Sequence, residues 1–374
     1  MQTYRKHIKA IISGGGTGGH IFPAISIANE LKRQNSSTEI LFVGAIGRME
    51  MERIPAAGYK IEGLPVSGFQ RKLSYRNFGV LINLIKSLSL AGKILKRFKP
   101  DIAIGVGGYA SGPIIYKAAK MNLPCIIQEQ NSYAGITNKL LARKVSKICV
   151  AYSNMEKYFP ADKIVLTGNP VRNIEINEKL KNEAYEYFGL HKDIPVIVVV
   201  GGSLGARTFN ESLIEKKELL QSGNLQVIWQ TGKYYYEKVK NEMHDAITGN
   251  IHIYDFISRM DLVYNIADLM ISRAGAISIS EICLTGRAAI LVPSPNVAED
   301  HQTRNALALT GENAAIMITD KEAREKLIPT ALEIINNKEL LMSLSSNSKK
   351  LAKPNATKDI VNEILKLTER INES

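Results

Sequence analysis

Seven consecutive residues near the start of the chain, Gly14-Gly15-Gly16-Thr17-Gly18-Gly19-His20, have the types and spacing for chemistry on a phosphorylated ligand. Glycines let the backbone approach an anion closely and aim N–H groups at it. Histidine is the side chain whose proton moves most readily near neutral pH. A second glycine-rich run, Gly201-Gly202-Ser203-Leu204-Gly205-Ala206-Arg207, repeats the phosphate-cradling half of this pattern without the histidine. A third segment, Arg273-Ala-Gly-Ala-Ile-Ser-Ile-Ser-Glu281, opens a helix whose first N–H groups suit a pyrophosphate. Glu281, two turns in, is placed to accept hydrogen bonds from a ribose.

Several alternatives fail on residues that are missing. Gly14, Gly16 and Gly19 satisfy G-x-G-x-x-G, but a dinucleotide site also needs an acid about 20 residues on, at the end of the second strand. There the chain reads Phe42-Val43-Gly44-Ala45, and Glu39 lies at the wrong end of that strand. No Gly-Lys-Ser/Thr occurs, which excludes a P-loop, and no Asp-x-Asp occurs, so the usual carboxylate pair for a metal-bound nucleotide is missing. The run Glu299-Asp300-His301-Gln302 would need metal-ligand partners converging from elsewhere. Chemistry without a metal or cofactor is expected, with helix termini and cations such as Arg172 meeting the phosphate charge.

The elements that must position these groups follow from the apolar pattern. Strands are predicted at 8–12, 39–43, 101–105, 124–127 and 147–151, and again at 195–200, 225–229, 251–254, 268–272 and 288–292, with helical stretches between them. This is an α/β chain of βαβ units with parallel sheets. At 374 residues it exceeds one ordinary core, since a domain averages roughly 150 residues. Two doubly wound, Rossmann-like domains facing across a cleft are expected, spanning 1–170 and 171–352. A helix at 353–374 is expected to pack back on the first. Three cysteines without a CxxC pair fit a reducing compartment. No run approaches the ~18 uncharged apolar residues of a membrane span, and the N-terminal apolar run is too short for a secretion signal. A cytoplasmic location is expected.

Charge separates the halves. Residues 1–170 hold 24 Lys and Arg against 9 Asp and Glu, a net of +15, whereas 171–374 hold 24 against 27, a net of −3. A polyanion near the first domain only is implied. Residues 71–99 contain eight Lys and Arg, and no acid occurs between Glu62 and Asp101. Phe78, Leu81, Ile82, Ile85 and Leu88 recur there at helical spacing. Two readings stay open: a core-facing helix with a solvated basic face, or a surface lying on anionic lipid. Nucleic acid is not expected, because stacking aromatics are scarce in this segment.

Six motifs then occur together: Gly15-Gly16-Thr17-Gly18-Gly19-His20, Gly107-Gly108-Tyr109-Ala110-Ser111-Gly112-Pro113, Glu129-Gln130-Asn131, Gly168-Asn169-Pro170-Val171-Arg172, Gly201-Gly202-Ser203-x-Gly205-Ala206 and the 273–281 segment. In order and spacing, over essentially the full length, the chain resembles the MurG family of bacterial peptidoglycan glycosyltransferases. The resemblance implies a GT-B fold and inverting transfer of N-acetylglucosamine from UDP-GlcNAc to the C4 hydroxyl of MurNAc in lipid I. Lipid I is undecaprenyl-pyrophosphoryl-MurNAc-pentapeptide, and the product is lipid II, made for cell-wall growth and division. It further implies a peripheral enzyme at the cytoplasmic face of the bacterial inner membrane, with its basic half toward the anionic surface.

Carried over by position, the resemblance implies donor contacts at Thr17, Gly18, Gly19, Asn131, Arg172, Ser203, Ile257, Ala276, Ile277, Ser278, Ile279, Ser280, Glu281 and Gln302. Ser203 and Arg172 would stabilise the departing UDP, the backbone at Ile257 would hold the uracil, Glu281 the ribose and Gln302 the sugar. His20 is the leading candidate base, with Glu129 as rival or helper. Two positions depart from the family: Gln128 stands where it often has His, and Leu204 where it often has Gln. A related transferase using a diacylglycerol acceptor and a catalytically silent nucleotide-sugar-binding protein are the alternatives.

Overall fold

The computed structural model describes residues 7–66, 76–172, 174–202, 204–222, 224–246, 249–297 and 300–369. Residues 67–75, Ser203 and Glu299 lie outside that set, as do the side chains of residues 76–78. The chain divides into two compact units, one of Met1–Arg172 with Pro354–Ser374 and the other of Asn173–Lys353.

The first unit is built on β1 (Lys9–Ser13), β2 (Glu39–Ala45), β3 (Lys60–Leu64), β4 (Ile102–Gly105), β5 (Cys125–Glu129), β6 (Lys147–Val150) and β7 (Ile164–Leu166). They pair in parallel in the order β3-β2-β1-β4-β5-β6-β7. A parallel strand covered on both faces reads as a continuous apolar run, and alternate residues serve alternate cores. Ile11, Leu41, Ala103 and Ile127 thus pack with Ile94 and Leu95 of the helix Arg76–Phe98. Ala10, Ile12, Phe42 and Ile104 pack on the other face with Ile21, Ile27 and Leu31 of the helix Gly18–Gln34. Ile360, Val361, Ile364 and Leu365 of the helix Ala356–Glu369 complete that second core. Ile364 is fully buried, and its truncation to alanine would cost about 2–5 kcal/mol.

The second unit has β8 (Val196–Val200), β9 (Gln226–Gln230), β10 (Ile251–Tyr254), β11 (Leu269–Ser272), β12 (Ala288–Leu291) and β13 (Ile316–Met317). Their order, β10-β9-β8-β11-β12-β13, repeats that of the first six strands of the first unit. Val196 and Val198 face one core, and Ile197 and Val199 the other. In both sheets the order reverses beside the first strand, between β1 and β4 and between β8 and β11. Ligands of doubly wound sheets bind outside the carboxyl ends of the strands at such a reversal. The loops leaving β1, β4, β8 and β11 are the ones that contain the glycine-rich motifs.

Ten strands lie where the apolar runs predict them. The three that the pattern misses, β3, β7 and β13, are all at sheet edges. Lys60–Leu64 is interrupted by Glu62 and Gly63, and the other two are three and two residues long. Among the described residues no helix is long and apolar enough to cross a membrane.

Candidate functional site

In the first unit, β1 runs into Gly14 and Gly15, both buried, and the helix Gly18–Gln34 opens at Thr17. Thr17 has extended backbone, and no acidic side chain sits in the first turn, so the amides of Gly18 and Gly19 form a positive helix start. His20 lies in that turn, its N–H donating to Thr17 O at 3.1 Å. Its Nδ1 is 3.0 Å from the Gly15 carbonyl oxygen. A carbonyl only accepts, so Nδ1 carries the hydrogen and Nε2 is the basic nitrogen. The Thr17 hydroxyl is a longer 3.4 Å from Nδ1.

The loop after β4 backs this ring. A Cβ on Gly107 would lie 2.7 Å from His20 Cδ2 and 2.8 Å from Nε2, so only glycine lets the imidazole lie there. Gly108, at φ +84°, presses onto the Gly15 carbonyl oxygen in the same way. On the opposite side of the loop stands Glu50, fully buried, which accepts from Gly16 N at 2.9 Å and from Ala45 N at 3.0 Å. Sequence reasoning missed Glu50. It sits in a charged stretch that reads as surface, and its two partners are apparent only in three dimensions.

Glu129 closes β5 and is 2% exposed. Its carboxylate accepts four N–H groups: Asn131 N at 3.1 Å and Nδ2 at 3.3 Å on one oxygen, Gly135 N at 3.0 Å and Asn138 Nδ2 at 2.9 Å on the other. Burial pushes its carboxyl above the usual range, and these four donors oppose that rise. These contacts tie Glu129 to the 129–138 turn that contains Asn131. Gln128 is buried and donates to Asn169 Oδ1 at 3.0 Å, a structural amide where the related family often has an imidazole.

In the second unit the turn after β8 is seated on the turn after β9. Gly205, at φ +78°, leaves no room for a Cβ against the Thr231 carbonyl. Gln230, at the end of β9, joins two predicted donor elements. Its Nε2 donates to Gly202 O at 3.0 Å, and its Oε1 accepts from Ile257 N at 2.8 Å. The amide of Ile257 is therefore committed, and its carbonyl is the group it can present to a base edge. Leu204, at the tip of the turn, is 80% exposed.

The helix Ala276–Thr285 follows β11 and starts at Gly275, again without an acid in its first turn. Ala276 and Ile279 are buried, whereas Ile277 and Ser278 are partly exposed, and Ser280 turns its hydroxyl back to Ala276 O at 2.9 Å. Glu281 is buried and accepts from the Tyr264 hydroxyl at 2.9 Å, a partner the sequence pattern did not reveal. Arg273 anchors the loop through Val292 O, Pro293 O and Asp320. Gln302, on the helix His301–Thr310, accepts from Ser294 N at 2.8 Å and keeps its amide NH2 for donation. Arg172 is exposed at the end of the first unit's main segment.

On the first unit's surface, Leu81, Ile82 and Ile85 are 48%, 40% and 61% exposed, beside exposed Lys86 and Lys93. The same helix buries Ala91, Ile94 and Leu95 further along. Its C-terminal half thus contributes to the core, whereas Leu81, Ile82, Ile85 and Lys86 point outward.

Residues 10–150 match the glycosyltransferase family 28 N-terminal domain and residues 196–363 the family 28 C-terminal domain. A relative from Parabacteroides distasonis is 57% identical over 99% of this chain and 100% of its own length. It is named UDP-N-acetylglucosamine–N-acetylmuramyl-(pentapeptide) pyrophosphoryl-undecaprenol N-acetylglucosamine transferase. A relative from Cytophaga hutchinsonii with the same name is 52% identical over 97% of this chain and 98% of its own. Among solved structures, that of Acinetobacter baumannii MurG is similar with TM-score 0.77 at 29% identity, covering 96% of this chain and 99% of that one.

Proposed function

The chain belongs to glycosyltransferase family 28, and from that premise we propose that it transfers N-acetylglucosamine from UDP-GlcNAc to the C4 hydroxyl of MurNAc in lipid I, giving lipid II. What carries this function is that relatives named for the reaction share more than half of their residues with it over nearly the whole length.

The reaction is a single displacement. The acceptor O4 attacks the anomeric carbon, the bond to UDP breaks on the opposite face, and configuration inverts. The hydroxyl proton passes to His20 Nε2, the nitrogen left basic by the Gly15 contact. Glu129, with four N–H donors on its carboxylate, is the positioning residue for Asn131 and not the rival base. The leaving UDP gains charge as the bond lengthens, and that charge needs donors already in place. Ser203 and Arg172 supply them, with the positive helix start at Ala276. The carbonyl of Ile257 meets the uracil, Glu281 the ribose and Gln302 the sugar. No Asp-x-Asp pair is available to bring a metal to the pyrophosphate, and turnover is expected in excess chelator.

The basic first half and the exposed Leu81, Ile82 and Ile85 support a peripheral position on the anionic cytoplasmic face of the inner membrane. There lysines and arginines meet headgroups while apolar side chains enter the boundary. Purified protein given UDP-GlcNAc, a short-chain lipid I analogue and chelator should release UDP in step with disaccharide formation. Folded protein that glycosylates diacylglycerol but not this analogue would overturn the assignment.

A further inference from the structure

We propose that Glu50 is a positioning residue for His20, acting through the single peptide group that joins Gly15 to Gly16. The carbonyl of that peptide accepts from His20 Nδ1 at 3.0 Å, and its N–H donates to Glu50 Oε2 at 2.9 Å. Carboxylate, peptide and imidazole thus form one continuous hydrogen-bonded chain. In it the carboxylate draws on the amide hydrogen, and the carbonyl becomes a stronger acceptor for the ring. Hydrogen bonds in series polarise one another by roughly 10–30% each at low local dielectric. A partner on one imidazole nitrogen fixes the tautomer and sets the basicity of the other.

Three features of the fold fit such a relay. Glu50 is fully buried, which is costly for a carboxylate unless strong donors meet it. Room for it is made by missing side chains: a Cβ on Gly44 would come within 2.6 Å of its Cγ, and one on Gly15 would collide with the carboxylate itself. On the other side of the relay peptide, Gly108 packs onto the Gly15 oxygen and Gly107 onto the His20 ring. The peptide is therefore enclosed on both sides, and the second N–H on Glu50, from Ala45 at 3.0 Å, ties the relay to the end of β2. An acid acting on a histidine through a backbone peptide leaves no spacing signature, because the two side chains need not touch.

This inference rests on His20 being the base, and the test separates the two. Glu50→Gln keeps the shape but removes the charge and turns an N–H donor toward one of the two amides. Its kcat should fall about 10- to 100-fold, by analogy with the outer hydrogen-bond partners of metal-bound histidines, with the KM for UDP-GlcNAc within twofold. The carboxylate favours the protonated ring, so its loss should move the acid limb of kcat/KM to lower pH. A purely structural Glu50 would alter thermal stability and KM and leave that limb in place, which would overturn the relay while a dead His20→Ala variant kept the base assignment standing. Near-normal turnover by His20→Ala would remove both. Should Glu50→Gln not fold, imidazole 15N–1H spectra of the unaltered protein decide: a neutral His20 protonated at Nδ1 is required, and one protonated at Nε2 contradicts the relay.

Discussion

The two glycine turns that follow β1 and β8 are alike in geometry and unlike in electrostatics. Each leaves the first strand of a sheet with the same strand order, and each meets the neighbouring loop through a left-handed glycine, Gly108 on Gly15 in one and Gly205 on Thr231 in the other. Behind the first stands a buried carboxylate, Glu50, which only accepts. Behind the second stands the neutral amide of Gln230, which donates to Gly202 and accepts from Ile257. A carboxylate behind the loop favours a cation in front of it, which suits a histidine that must gain a proton. A neutral clamp fixes two loops and favours neither charge state, which suits binding. On the proposed function, one architecture serves proton transfer in one half and ligand holding in the other.

That contrast can be broken at several points. The largest effect expected is from His20→Ala, which should lower kcat about 10²- to 10⁴-fold, the usual contribution of a positioned base. Next is Gln230→Ala. Orphaning the Gly202 carbonyl and the Ile257 amide costs about 1–3 kcal/mol apiece, and the KM for UDP-GlcNAc should rise at least tenfold while kcat stays within a few-fold. A kcat loss as large as that of His20→Ala would erase the division of labour. Glu281→Gln keeps an acceptor for Tyr264 but weakens the ribose contact, so the preference for UDP over its 2′-deoxy analogue should shrink roughly three- to tenfold. The smallest catalytic effect is expected from Ile82→Ser combined with Ile85→Ser. Each substitution removes apolar area worth about 25 cal/mol per Å² at the lipid boundary, so partitioning onto anionic vesicles should fall severalfold with UDP-GlcNAc affinity unchanged. Unaltered vesicle binding would return that helix to an ordinary solvated face.

Much of this organisation is legible in the chain because its signals are local. β-branched runs such as Val196–Val200 declare buried parallel strands, and glycines directly after them declare the turns. What stays hidden depends on distant partners. Glu50 reads as one more charge in Arg48-Met-Glu-Met-Glu-Arg53, yet it is buried under a loop more than thirty residues earlier. Glu129 reads as a rival or helper base to His20, and the N–H groups of Asn131, Gly135 and Asn138 that its carboxylate accepts are apparent only in three dimensions. Gln230 ends an apolar strand and gives no hint of holding two other loops. Helical spacing at 78–88 cannot say which way a face points. The exposure of Leu81, Ile82 and Ile85 shows only that these side chains lie outside the core, and the vesicle measurement chooses between a solvated and a lipid-facing surface.

The central claim, that the first turn moves the proton and the second holds the donor, is tested most directly by measuring UDP-GlcNAc affinity and turnover on the same His20→Ala sample. We predict a dissociation constant within twofold of the unaltered protein together with a kcat at least a hundredfold lower. Turnover near the original rate, or a donor affinity that falls in proportion to it, would contradict the account.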